Sequence, residues 1–192
     1  MCDSRDVEQT MFYYEELIRN YHKQPLSQTA SYASLPTVWD TSPNQVINEH
    51  RFGSYDAIIA NVRIVQSNKI TEIIRCGGTI RLEIEIYSKH NFESVVLGLS
   101  LRDKAGIEFW GDNTLNAMKD PLRLKEGTNI LAMEVNSNFA QGEYFLLAGI
   151  ADISHERIEL DQRWPVAKLA FISTRPVGIG YVYSPLMILE CL

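Results

Sequence analysis

A chain of 192 residues, 45% hydrophobic and 22% charged, has the composition of a folded domain large enough for a full core, which excludes disordered and collagen-like classes. Eighteen basic against 24 acidic residues leave a net charge of -6 with no Lys/Arg-rich run, so nucleic acid and anionic membrane surfaces are disfavoured as partners. No apolar run approaches the roughly 20 residues of a membrane span, so no direct membrane insertion is expected, and three scattered cysteines without a CxxC pair imply reduced thiols rather than a disulfide framework or a zinc site.

The opening residues are polar and acidic, unlike a secretory signal, which favours the cytoplasm. Over 1–23, Val7, Met11, Tyr14, Leu17, Ile18 and Tyr21 recur at spacings of three and four between charges and predict one amphipathic helix. Over 24–49, Pro25, Pro36 and Pro43 among Ser, Thr, Asn and Gln read as a linker. From 50 to 192 short runs of Val, Ile, Leu and aromatics alternate with Gly, Asn and Asp. They predict strands at 57–65, 79–87, 94–102, 107–110, 128–135, 143–152, 157–164, 166–173 and 180–189, and no second helix. The run 79–87 alternates cleanly, with Ile80, Leu82, Ile84 and Ile86 on the core side and Arg81, Glu83, Glu85 and Tyr87 on the other. An all-β domain of this kind is an antiparallel sandwich or jelly roll. Gly77, Gly106 and Gly127 fall at turns that call for positive φ, while Pro165 implies a bend or sheet edge, and Pro185 interrupts the last strand.

No nucleotide-binding, metalloprotease or serine-hydrolase signature occurs, and His22, His50, His90 and His155 stand apart from one another and from cysteine. Neither a cofactor, a metal nor a catalytic residue is expected. Glu83 and Glu85 share a strand face as a glycosidase pair would, but acidic alternation on a solvated face is the plainer reading. Asp112 and Asn113 could bind calcium or simply form a turn beside Trp110. Sugars pack C–H patches on aromatic faces and exchange hydrogen bonds with Arg, Asp, Asn and Gln. By neighbourhood, Trp110, Trp164, Tyr181 and Tyr183 are candidate stacking platforms, with Arg102, Arg163 and Arg81 as hydroxyl ligands; each Trp could instead be core. On 94–102, Val95, Leu97, Leu99 and Leu101 face the core, so that Val96, Gly98 and Ser100 leave either a shallow concavity beside Arg102 or room for a neighbouring strand.

Phe52-Gly53-Ser54, Leu101 to Gly106, Gly111-Asp112-Asn113-Thr114, Gln141 to Leu146 and Gly149-Ile150-Ala151-Asp152, in that order, resemble the Wzt C-terminal domain family over about residues 50–190. The resemblance implies an immunoglobulin-like β-sandwich, the non-catalytic carbohydrate-binding part of the ATPase subunit of an ABC exporter for O-antigen polysaccharide. It implies as partners the polysaccharide, the ATPase domain and the membrane permease, a cytoplasmic place at the inner-membrane face, and recognition of a modified non-reducing end. On that reading 1–23 is a tether helix, and the chain is an excised fragment or detached homologue. Some members resemble dimers that exchange a C-terminal strand, here the segment with Gly180, Val182, Leu186 and Ile188, so a homodimer is expected. The rival readings are an oligomerisation module of the exporter subunit and a glycoside-processing enzyme using Glu83 and Glu85.

Overall fold

The computed structural model describes residues 49–173 and the backbone of the strand Leu186–Cys191. The predicted helix over 1–23, the linker up to residue 48, and Gly180, Tyr181, Val182 and Tyr183 lie outside the described residues.

In chain order the strands are β1 (His50–Phe52), β2 (Ala57–Gln66), β3 (Lys69–Ile70), β4 (Ile73–Arg75), β5 (Thr79–Ser88), β6 (Phe92–Arg102) and β7 (Glu108–Asn113). A helix α1 (Thr114–Met118) follows, then β8 (Leu122–Leu124), β9 (Gly127–Asn136), β10 (Gly142–Asp152), β11 (Ile158–Ile172) and β12 (Leu186–Cys191). One sheet has seven strands in the order β1-β11-β10-β6-β7, with β4 also pairing β11 and β8 pairing β6; the other has five, β12-β9-β5-β2-β3. Pairing is antiparallel except for β4 on β11. The chain is an antiparallel β-sandwich, as its alternation requires: one apolar face per strand must be buried, and two such faces bury each other.

Ile80, Leu82, Ile84 and Ile86 of β5 are buried, as are Val95, Leu97, Leu99 and Leu101 of β6. Ile59, Val62 and Ile64 of β2, Leu131, Met133 and Val135 of β9, and Leu146, Ala148 and Ile150 of β10 join them in one core. Aromatic rings fill part of this core around Phe139, which is fully buried, with Phe171 at 5.4 Å and Trp110 and Phe109 at 5.8 Å. The Tyr144 hydroxyl donates to the Ala140 carbonyl at 3.0 Å, pinning the loop before β10 in the manner of a tyrosine corner. Ser137, wholly buried, donates to the Gly78 carbonyl at 2.8 Å and accepts from Gly78 N at 3.1 Å, tying the start of β5 to the end of β9.

Gly77, Gly106 and Gly127 take positive φ at their turns, as expected. Gly53 has φ 149°, and a Cβ there would collide with the Leu160 carbonyl, so β1 can approach β11 only because this residue is glycine.

Two features of the middle of the chain differ from the sequence expectation. α1 exists; at five residues it is too short to show helical periodicity, and its signal is the cap, Asn113 Oδ1 accepting from Asn116 N at 2.9 Å. The predicted strands 157–164 and 166–173 are one strand, β11. Pro165, after a cis peptide, sits in a bulge where Leu146 pairs with Ala167 but Ala148 pairs with Arg163, and a bulge accommodates a residue with no N–H to donate. The described part of the C-terminal strand, Leu186–Cys191, pairs with β9.

Candidate functional site

The outer face of the seven-stranded sheet carries an open groove of about 320 Å³ that crosses β7, β6, β10 and β11, four neighbours in the sheet. Its floor is Val96, Gly98 and Ser100 of β6 with Leu147 and Gly149 of β10, the positions that alternate with the core residues. Gly98 stands directly opposite Gly149 in the ladder, and Ser100 opposite Leu147 and Gly111. Of the two readings of the small residues of β6, the concavity is the one present. It arises because two strands place glycine at the same level of one face: Gly98 leaves bare backbone, and the Gln162 side chain lies over Gly149.

Trp164 lines the groove at its β11 side. The ring is buttressed by Phe52 edge-on at 5.3 Å and by His50 at 6.4 Å, both from β1, whose register sets His50 opposite Trp164 and Phe52 opposite Gln162. Neither His50 nor Phe52 is among the sequence-predicted site residues. Their signal was alternation, the same face of one short strand, which is hard to see over three residues. Gln162 lies across Gly149, where a Cβ would collide with its amide, and donates to Glu159; Arg157 donates to the same carboxylate at 2.6 Å. Asp112, Asn113 and Asn116 line the opposite side, and Glu108, at the other end of β7, also belongs to the lining. Asp112 Oδ1 accepts from Asn113 N at 2.8 Å and from Asn116 Nδ2 at 3.2 Å, so Asp112 and Asn113 form the turn into α1. No group of three or more His, Cys, Asp or Glu side chains suited to a metal occurs among the described residues.

The other candidates separate. Trp110 is 5% exposed and packs in the core against Phe139, so it is no stacking platform; its position on β7 pairs with Leu101, an inward one. Arg163 is likewise buried: Nη2 donates to Glu49 at 2.8 Å and Nη1 to the Ile59 carbonyl at 3.0 Å, which removes it as a hydroxyl ligand. Glu49, the last residue of the predicted linker, is thus already tied to the sandwich. Beside it Asp161, fully buried, takes two bonds from Arg51 at 2.7 and 2.8 Å and one from Ile59 N at 2.7 Å. Burial pushes the Asp161 carboxyl up, against the pull of Arg51, the Ile59 N–H and Arg163. This buried network joins β1 and β11 to the bulge in β2 and is structural.

Arg81 lies on the other sheet, its Nε donating to Glu83 at 3.1 Å, with Arg63 3.8 Å from the same carboxylate. Arg102 is on the groove side of β6 but outside the described lining. Glu85 is fully buried and accepts from Asn61 at 3.4 Å, so it and Glu83 do not face a substrate together as glycosidase carboxylates would; the solvated face expected there is covered at Glu85. No described helix is long and apolar enough to cross a membrane.

A groove with one aromatic wall and hydrogen-bonding amides and carboxylates on one face of a β-sandwich has the form of a ligand-binding surface. The family model of the Wzt C-terminal domain matches residues 48–182, and the chain belongs to that family. That family is one of carbohydrate-binding, O-antigen exporter domains in general. Among solved structures, the crystal structure of the C-terminal domain of Wzt is similar over 76% of this chain and 90% of that one, with a TM-score of 0.67 and 18% identity, a likeness of fold. The CARDB domain of a Pyrococcus furiosus protein, solved with di-metal ions, covers 64% of this chain and 97% of that one at 12% identity and a TM-score of 0.39. No curated protein sequence matches the chain significantly.

Proposed function

We propose that this domain recognises O-antigen polysaccharide in the groove of the seven-stranded sheet, engaging the modified non-reducing end so that an exporter takes up finished chains. The observation that carries this reading is the pairing of a Gly98/Gly149 floor with the buttressed Trp164 wall. A sugar ring can lie on the bare backbone at Gly98, present its C–H face to the indole, and exchange hydroxyl bonds with Gln162, Asn113, Asn116 and Asp112. Shallow polar grooves gain little over water, so the intrinsic Kd lies between about micromolar and millimolar. Working at the cytoplasmic face of the inner membrane beside an ATPase domain and permease, a homodimer would present two such grooves and raise avidity.

Trp164→Ala tests the reading. Binding of the source organism's O-antigen polysaccharide, followed by NMR, should fall about tenfold or more, on the scale of a lost aromatic contact, while thermal stability holds. Undiminished binding by this variant would remove the groove as the site.

A further inference from the structure

Resting on the reading of the groove as a glycan site, we propose that β1 belongs to that site: His50 and Phe52 are positioning residues that hold Trp164 for the sugar, so that sugar binding and the docking of β1 on β11 are linked. β1 is three residues long and alternates as any strand does, but its two faces have different partners. Outward, His50 stands opposite Trp164 and Phe52 opposite Gln162, the two β11 side chains of this stretch that line the groove. The Phe52 ring meets the indole edge-on at 5.3 Å, the His50 ring lies 6.4 Å from it, and 5.5 Å separates His50 from Phe52, so the three rings form one cluster. Among the described residues Trp164 takes its ladder partner from β1 and none from β10, where the register passes from Ala148/Arg163 to Leu146/Ala167.

Inward, the residues that alternate with these rings latch β1 down. Arg51 donates to Asp161 at 2.7 and 2.8 Å, and Glu49, just ahead of the strand, accepts from Arg163 at 2.8 Å. Arg51 and Arg163 also both reach the Ile59 carbonyl, at 3.2 and 3.0 Å. Beyond the strand, Ser54 N and Tyr55 N donate to the Glu159 and Leu160 carbonyls at 2.9 and 2.8 Å, and Gly53 passes the Leu160 carbonyl where no Cβ fits. The latch uses positions 161 and 163 of β11, which alternate with the groove-lining Gln162 and Trp164. One strand pairing therefore carries both latch and wall: β1 cannot leave β11 without taking the backing from the indole, and an indole held by sugar favours the docked β1. Linkage makes the two effects equal, so whatever factor β1 docking adds to sugar affinity, bound sugar adds to the docking of β1. Occupancy of the groove is thus felt at Glu49, where the chain enters the sandwich.

Two measurements test this on the full chain with the source organism's O-antigen polysaccharide. In the wild type, hydrogen exchange of the β1 amides is compared without and with saturating polysaccharide; binding should slow it about three- to tenfold, the scale of one aromatic pair. Affinity is then read from the Gly98 and Gly149 amide shifts in Phe52→Ala, Gly53→Ala and Phe52→Tyr. Phe52→Ala removes one backing ring, and Gly53→Ala drives a Cβ against the Leu160 carbonyl and lifts β1. Neither residue lines the groove, yet both variants should bind about three- to tenfold more weakly, whereas Phe52→Tyr, which keeps the ring, should bind like wild type. The exchange comparison needs the wild type alone, so it decides the matter even if Gly53→Ala fails to fold. Unchanged β1 exchange at saturation, or wild-type affinity in Phe52→Ala, with the Gly98 and Gly149 shifts intact, would overturn the linkage and leave the glycan site standing. If the polysaccharide moves neither amide in the wild type, the glycan reading falls and this inference with it.

Discussion

Trp110 and Trp164 are equivalent candidates in the sequence, each flanked by polar residues able to bind hydroxyls, and the register of their strands sends one inward and the other out. The positions paired with Trp110 and Gln162, Leu101 on the core face and Gly149 on the groove floor, carry that distinction, and pairing between distant strands is not legible from local neighbourhood. Trp110→Ala should therefore cost about 3–5 kcal/mol of stability, whereas Trp164→Ala should change binding and leave the chemical-denaturation midpoint nearly where it was. Asp161 shows the same limit. Beside Trp164 it resembles a sugar ligand, yet it is sealed under Arg51 at 2.7 Å. Asp161→Ala would leave the Arg51 and Arg163 guanidiniums facing a buried gap, and a loss of about 3–5 kcal/mol in urea unfolding is expected. An unchanged unfolding midpoint would mean that the network is ornamental.

Elements were the more legible level, because alternation at period two is a local signal that burial of one face makes necessary. The cores of β5 and β6 lie where alternation placed them, and the glycines of three turns have the φ their positions implied. What escaped was governed by context: β4 and β8 are three residues each, α1 is a cap with one turn, and β11 runs through a proline because it bulges there against β10. At the edge of this pairing Glu143 of β10 holds Lys168 of β11 at 2.9 Å and also Lys104 of the β6–β7 turn. Those two ammonium groups lower its pKa from 4.5 to about 2. A depressed carboxylate adds stability above its unfolded pKa and loses it as pH falls through its folded one. Wild type should thus lose Tm faster than Glu143→Gln between pH about 4.5 and 2 at low ionic strength, and the difference should fade in about 1 M salt, as screening of an exposed triad requires. Parallel curves at low salt would show that the triad contributes nothing.

On the scale of the whole molecule, the two sheets divide the work. The seven-stranded sheet bears the groove, while β12 forms one edge of the five-stranded sheet through β9 of the same chain. An edge strand at the chain's end is what two copies can trade without altering either core, so the proposed dimer needs no new interface chemistry. Deletion of residues 180–192 should convert a dimer to a monomer in light scattering; an unchanged dimer would place the contact elsewhere. The groove's position was half legible, since Val96, Gly98 and Ser100 announce a concavity, but its opposite half comes from Gly149 and Trp164, brought beside them by pairing across some 50 to 70 residues of chain. The most direct measurement of the central claim is amide chemical-shift mapping with the source organism's O-antigen polysaccharide, run beside a Gly98→Leu variant. A Cβ at Gly98 meets no atom nearer than the Gly149 carbonyl at 4.0 Å, and the rest of a leucine would project into the groove, so the variant should fold and fill it. Saturable shifts confined to Gly98, Ser100, Gly149 and the Trp164 indole, abolished in Gly98→Leu, are the predicted result; shifts on the five-stranded sheet, or binding that survives the filled groove, would contradict it.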